Sequence, residues 1–212
     1  MPKPRVFLAD DHTLLVDAFQ KLLEPEFEIV GTAADGRDLL VLAPKLQPDL
    51  VIVDLGLPLL NGIDAGREIK KLLPRTRLLV VTVNEDSSVA REVLRHWASG
   101  YLLKKSAGTE LTYALRELLK GKSYVTPVMA RKIAEDFIRD PELQCNKLLT
   151  LRQREVLQLL AEGRTMKEAA DILSLTTRTI AFHKYRIMED FGMRSNSELL
   201  KLAMREHLIA AN

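Results

Sequence analysis

Hydrophobic and polar positions change their period along this chain, and the change divides it in two. Short apolar runs at 6–9 (VFLA), 27–31 (FEIVG), 50–54 (LVIVD), 78–83 (LLVVTV) and 100–103 (GYLL) predict five strands. Amphipathic stretches near 13–24, 36–46, 63–73, 87–97 and 109–120 predict helices between and after them. Strict strand and helix alternation implies a parallel sheet covered on both faces, because each parallel neighbour needs a crossover connection. The runs at 50–53 and 78–81 are apolar without alternation, as central strands buried on both faces require.

After Gly121 the alternation stops. The stretch KSYVTPV leads to a helix at about 128–139, ended near Pro141, so residues 122–147 read as a linker with one helix. From Leu148 the pattern is helical only, with room for four short helices. Thr150 with Gln153 forms a capping-box pattern, Gly163 is a stop signal, and Ser195 or Ser197 can cap the last helix. The predicted fold is therefore α/β, a doubly wound five-stranded parallel sheet over 1–121, with a C-terminal all-α four-helix domain over 148–212.

Composition and charge refine this picture. At 212 residues and 47% hydrophobic, the chain can fill two small cores. Two aspartates interrupt the apolar run at the N-terminus and no stretch of about 18 apolar residues occurs, so the expectation is a cytoplasmic protein with no membrane segment. The single Cys145 allows no internal disulfide and has no partner at zinc-ligand spacing. Residues 1–121 carry a net charge of −1 and residues 148–212 a net of +2. More tellingly, 176–186 (TTRTIAFHKYR) contains Arg178, Lys184 and Arg186 and no acid, a local basic segment suited to nucleic acid.

Ligands of open parallel sheets gather beyond the carboxyl ends of the strands. Asp10 and Asp11 end the first strand, Asp54 the third, Thr82 the fourth, and Lys104 follows the fifth. Three carboxylates held together repel one another unless a cation offsets them, and a hard divalent ion such as Mg²⁺ suits oxygen ligands and phosphoryl chemistry. A carboxylate can itself accept a phosphoryl group, and Asp54 is the best-placed nucleophile. Lys104 can pair with phosphate oxygens and the Thr82 hydroxyl can donate to one. Taken singly, Asp11 could be a helix cap, Asp54 a turn residue, Thr82 a strand former and Lys104 a solvated charge. Their joint placement at the right strand ends favours the chemical reading.

These residues resemble the receiver domain of two-component response regulators, whose fold is flavodoxin-like, over nearly all of residues 4–121. Asp10–Asp11, Asp54, Thr82 and Lys104 match its acidic pair, phosphoacceptor, hydroxyl and lysine, and DLGLPLLNG at 54–62 resembles its loop after the acceptor. The resemblance implies Mg²⁺ held by Asp11, Asp54 and the backbone carbonyl of Gly56, with Asp10 acting partly through water. It also implies a switch in which Thr82 and the aromatic Tyr101 move together. Val83 stands where a small residue is usual, restricting access to the phosphoryl site, and Lys105 stands where many receivers have proline.

In the second part, a helix over 165–173, a turn at Ser174–Leu175 and a helix from near Thr176 have the lengths of a helix-turn-helix. Ile180, Ile187, Met188 and Phe191 should face the core, leaving Arg178, Lys184 and Tyr185 elsewhere on the second helix. Thr176 and Thr177 at its start can hold a phosphate, and Arg178, Lys184 and Arg186 can supply backbone contacts. Residues 148–212 resemble the LuxR-type helix-turn-helix, with Gln153 and Ala181 as departures, Ala181 occupying a position that is commonly lysine. His183 can serve either the fold or a phosphate contact.

A receiver joined to this module resembles the NarL/FixJ subfamily. That resemblance implies a transcriptional regulator phosphorylated on Asp54 by a sensor histidine kinase, binding double-stranded DNA as a homodimer on activation and working with RNA polymerase. No turnover of an external substrate is expected. Two other readings are a constitutive DNA-binding regulator whose receiver is an interaction module, and a flavodoxin-like phosphohydrolase, which leaves the second domain without a role.

Overall fold

A computed structural model describes residues 2–139 and 149–209. The chain divides into two compact units, one of residues 1–57 and 62–143, the other of 144–212 with 58–61. Pro141, Cys145 and the start of the second domain at Leu148 lie outside the described residues.

The first unit begins as the periodicity predicts. It runs β1 (Arg5–Ala9), α1 (Thr13–Leu23), β2 (Glu28–Ala33), α2 (Gly36–Leu46), β3 (Leu50–Val53), α3 (Gly62–Leu72), β4 (Arg77–Thr82), α4 (Ser87–His96), β5 (Gly100–Leu103), a short 3-10 turn, and α5 (Ala107–Leu119). All strand pairs are parallel. Every residue of β3 is buried, and so are the last five of β4, which explains why those runs show no polar alternation. One core joins Leu8, Leu50, Ile52, Leu79 and Val81 of the sheet to Phe19 and Leu23 of α1 and Leu111, Leu115 and Leu118 of α5.

Among the described residues the sheet has six strands where the hydrophobic pattern predicts five. The sixth, β6 (Tyr124–Val125), lies parallel to β5 and gives the order β2-β1-β3-β4-β5-β6. Two residues are too short to show a period of two, so this strand is set by its pairing with β5. The Thr126 amide donates to the Tyr101 carbonyl at 2.9 Å, and the Thr126 hydroxyl accepts from the Leu103 amide at 3.0 Å. Next comes α6 (Pro127–Arg139), which packs on α4. Its Lys132 reaches Glu85 at 2.7 Å and its Asp136 accepts from the Ser87 hydroxyl. The segment after Gly121 is thus built onto the first unit up to residue 139.

The described residues of the second unit form the four predicted helices: α7 (Leu151–Ala161), α8 (Met166–Leu173), α9 (Thr177–Asp190) and α10 (Asn196–Arg205). The capping box of Thr150 and Gln153 forms, and Ser195 rather than Ser197 caps α10, in a second box with Glu198. A third box, Thr165 with Glu168, opens α8. Gly163 takes the left-handed conformation expected of a helix stop, with φ of 84°. Ser174, also left-handed, ends α8, and Thr176 caps α9. Ile187 packs with Leu157, Leu199 and Leu202, while Ile180 packs with Val156, Ala169 and Leu173, so α9 is held from two sides.

Candidate functional site

Parallel strands all end at the same edge of the sheet, and β1, β3, β4 and β5 deliver their polar residues there. Asp10 and Asp54 are buried, with 7% and 5% of their surface exposed, whereas Asp11 is exposed. Oxygens of Asp10, Asp11 and Asp54 and a ring nitrogen of His12 all lie within 4.8 Å of one another. His12 Nδ1 is 3.0 Å from Asp10 and 2.9 Å from Asp11. It is a member of the cluster that periodicity did not suggest, although its place beside the acidic pair is a usable signal. The helix-cap reading of Asp11 does not hold, because the N-cap of α1 is His12 and no side chain caps there.

Lys104 Nζ sits 2.8 Å from both Asp10 and Asp54, bridging two carboxylates that would otherwise repel. Burial works against its ammonium, but Asp54 and Asp10 outweigh burial and raise its pKa, so the lysine stays charged. One acceptor is left over. Asp54 Oδ1 is buried without a hydrogen-bond partner, a costly condition that a cation or an incoming electrophile relieves. The donors fit a hard divalent cation, being carboxylate oxygens close together, short of compensating charge and open to solvent through Asp11.

Two glycines shape the pocket floor. A Cβ on Gly62 would stand 1.9 Å from the Asp54 carbonyl oxygen, so any side chain there would displace the acceptor's backbone. A Cβ on Gly56 would stand 3.5 Å from Asp54 Oδ2, so this backbone passes close to the carboxylate. Thr82, 2% exposed, uses its hydroxyl oxygen to accept from the Asn84 amide at 3.2 Å. The fully buried Tyr101 donates its hydroxyl to the Asn84 carbonyl at 2.8 Å, and burial, then Asp86, Asp54 and Glu85, raise its pKa. Thr82 and Tyr101 therefore hold the same loop, the one leading into α4. Glu85 in that loop pairs with both Lys105 and Lys132, and these two lysines pull its pKa down to about 2. Val83 is 73% exposed at the same edge.

The basic segment forms the second candidate surface. Thr176 Oγ1 accepts from the Thr179 amide at 3.2 Å, a cap that leaves the Thr177 and Arg178 amides at the helix tip. Arg178 is exposed and makes no ion pair among the described residues. Arg186 is engaged by Glu189 at 3.2 Å and Asp190 at 3.4 Å. Lys184 is half-buried, its ammonium 6.0 Å from the centre of the Tyr185 ring. His183 is half-buried too, and burial followed by the Arg152 charge lowers its pKa. Phe182 and Tyr185 are 65% and 62% exposed.

Comparison with known proteins finds relatives of both parts of the chain. Residues 6–116 match the response regulator receiver domain, and residues 147–203 match the luxR family of bacterial regulatory proteins. The chain is 31% identical to the oxygen regulatory protein NreC of Staphylococcus carnosus, over 97% of this chain and 99% of that one. Among solved structures it resembles the RcsB response regulator of Salmonella typhimurium, at 29% identity and a TM-score of 0.66, covering 95% of this chain and 97% of that one. It also resembles RcsB in a complex with DNA, at 30% identity and a TM-score of 0.59, over 94% and 96% of the two chains. Among the described residues no helix is long and apolar enough to cross a membrane. The chain thus belongs to the two-component response regulators of the NarL/FixJ type, a receiver domain followed by a luxR-family DNA-binding domain.

Proposed function

We propose that this chain is a cytoplasmic transcriptional regulator whose DNA binding is controlled by phosphorylation of Asp54, with the receiver over 1–121, a connecting segment over 122–147 whose β6 and α6 are built onto the receiver, and the DNA-binding domain over 148–212. The observation that carries this reading is the Asp54 carboxylate: one oxygen is held by Lys104, and the other is buried and unbonded beside Asp10 and Asp11. A sensor histidine kinase is the donor. An Asp54 oxygen attacks phosphorus, the bond to the kinase histidine nitrogen breaks as the new P–O bond forms, and an acyl phosphate results. Asp11, Asp54 and the Gly56 carbonyl would hold Mg²⁺, with Asp10 acting through water. When bound, the ion neutralises charge on the phosphoryl oxygens. Lys104 already lies against Asp54 and can move its charge onto a phosphoryl oxygen. The phosphoryl group stays on the protein's own side chain, with no external substrate turned over.

Thr82 gives up its contact with the Asn84 amide to donate a hydrogen bond to the phosphoryl group, and the loop held by Tyr101 and Glu85 moves with it. The shift favours a homodimer on paired DNA half-sites, working with RNA polymerase. On each half-site α9 enters the major groove, with Thr176, Thr177 and Arg178 at its leading end, Lys184, Tyr185 and Arg186 along it, and His183 steadying the helix. In the presence of Mg²⁺ and a small phosphodonor, wild type should be labelled and Asp54→Asn should not. Equal labelling of both contradicts the assignment.

A further inference from the structure

The exposed side of α9 is aromatic where a polar surface would be ordinary. Ile180 and Ile187 are fully buried and define the inward face. Phe182 lies two residues after Ile180 and Tyr185 two before Ile187, so at 100° per residue both rings point away from the core. Arg178 shares this outward face and the half-buried Ala181 flanks it, in the order Arg178, Ala181, Phe182, Tyr185 along the helix. Phe182, in edge contact with the His183 ring, and Tyr185 both leave most of their surface to solvent, and two such rings side by side call for a partner. Arg178, exposed at one end of the face with no ion pair among the described residues, and a stretch of 176–186 that holds no acid favour a polyanion over a second protein surface.

Base pairs in the major groove differ in hydrogen-bonding groups and in one apolar feature, the thymine 5-methyl group. Ala181 carries only a methyl group and Phe182 only a ring, so neither can read a donor or acceptor. Both can pack on that methyl. Tyr185 offers its ring face and edge, with the Lys184 ammonium 6.0 Å from its centre. Ala181 to Tyr185 covers about 6 Å of helix axis, at about 1.5 Å per residue. That length matches about two base-pair steps at about 3.4 Å each.

We propose that Phe182 and Tyr185, with Ala181 between them and Arg178, are specificity-determining residues that select duplex DNA presenting thymine methyl groups opposite the middle turn of α9. Arg178, one turn nearer the helix start, reads an adjacent guanine edge or phosphate. This rests on the DNA-binding reading above and adds the class of sequence recognised: half-sites read through apolar methyl contact more than through hydrogen bonds.

The test uses the full chain, treated with Mg²⁺ and a small phosphodonor, to select from a random-sequence duplex library. The enriched duplex is then remade with deoxyuridine replacing each thymine in turn, which removes only the methyl. Wild type should enrich invariant thymines and lose about fourfold in affinity for each recognised methyl removed, the worth of about one buried methyl group. Phe182→Ala and Tyr185→Ala should bind the thymine duplex more weakly and be nearly indifferent to deoxyuridine at the position each ring reads. Phe182→Leu, which keeps apolar contact, should retain the response, and circular dichroism checks that each variant is folded. Equal wild-type affinity for both duplexes, or a full deoxyuridine loss surviving in Phe182→Ala and Tyr185→Ala, overturns the proposal. If wild type enriches no sequence at all, the DNA-binding reading itself fails, and this inference with it.

Discussion

The acidic pocket of the first unit and the outward face of α9 are built on opposite principles. In the pocket, Asp10, Asp54, Thr82 and Lys104 come from four strand ends, with Lys104 bracing two carboxylates at 2.8 Å, Thr82 holding the Asn84 amide and Gly62 pressed under the acceptor backbone. The α9 face comes from one continuous stretch in which Arg178, Phe182 and Tyr185 are exposed. A braced, buried site is organised in advance for one chemistry, whereas an exposed face on a rigid helix leaves its contacts to the partner. Substitutions in the pocket should therefore act on folding and metal affinity, and those on α9 on DNA alone.

The largest expected effect comes from Gly62→Ala. With the new Cβ placed 1.9 Å from the Asp54 carbonyl oxygen, the loop must shift, costing about 1–3 kcal/mol or more of unfolding free energy. Denaturant unfolding of the variant measures this, and a change of only a few tenths would show that the pocket floor yields easily. Lys104→Met should come next. Removing the ammonium that occupies Asp10 and Asp54 should raise Mg²⁺ affinity by about tenfold, the equivalent of one charge-assisted hydrogen bond. Calorimetric titration with Mg²⁺ reads it, and unchanged affinity would mean the lysine does not compete for these carboxylates.

On the other side of the comparison, Arg178→Ala should leave thermal stability and Mg²⁺ affinity unchanged. The slope of log affinity for DNA against log salt should fall by about 1 if Arg178 meets a phosphate. An altered melting temperature would mean that α9 is braced like the pocket after all. The smallest effect is at Glu85. Its folded pKa of about 2 lies below the ordinary value of about 4.3, so its pairs with Lys105 and Lys132 contribute stability above that value, lost as pH falls towards 2. Glu85→Gln should flatten the acid side of the stability profile slightly, and added salt should erase the difference, because the pairs are exposed to solvent.

What was legible beforehand follows from which interactions are local. Unbroken apolar runs at 50–53 and 78–81 announce central strands because both faces are covered, and Thr150 with Gln153 announces a helix start because the two bond each other across one turn. The pocket carboxylates were readable because parallel strands bring their ends together whatever lies between. Pairing across long stretches of chain leaves no period. The two-residue β6, the seat of α6 on α4 and the Glu85–Lys132 pair depend on residues far apart in sequence, and so came only with the structure. Gly62 had the same disguise, since a glycine after asparagine reads as an ordinary turn until the Asp54 carbonyl is seen beside it.

The coupling between the two surfaces is the central claim, and the affinity of the full chain for a selected DNA duplex tests it most directly. Measured with and without phosphorylation, in wild type and in Asp54→Asn, binding should tighten on phosphorylation of the wild type and stay at the unphosphorylated level in the variant. Equal affinity in all four cases would contradict the account, leaving the first unit as an interaction module on a constitutive DNA-binding protein.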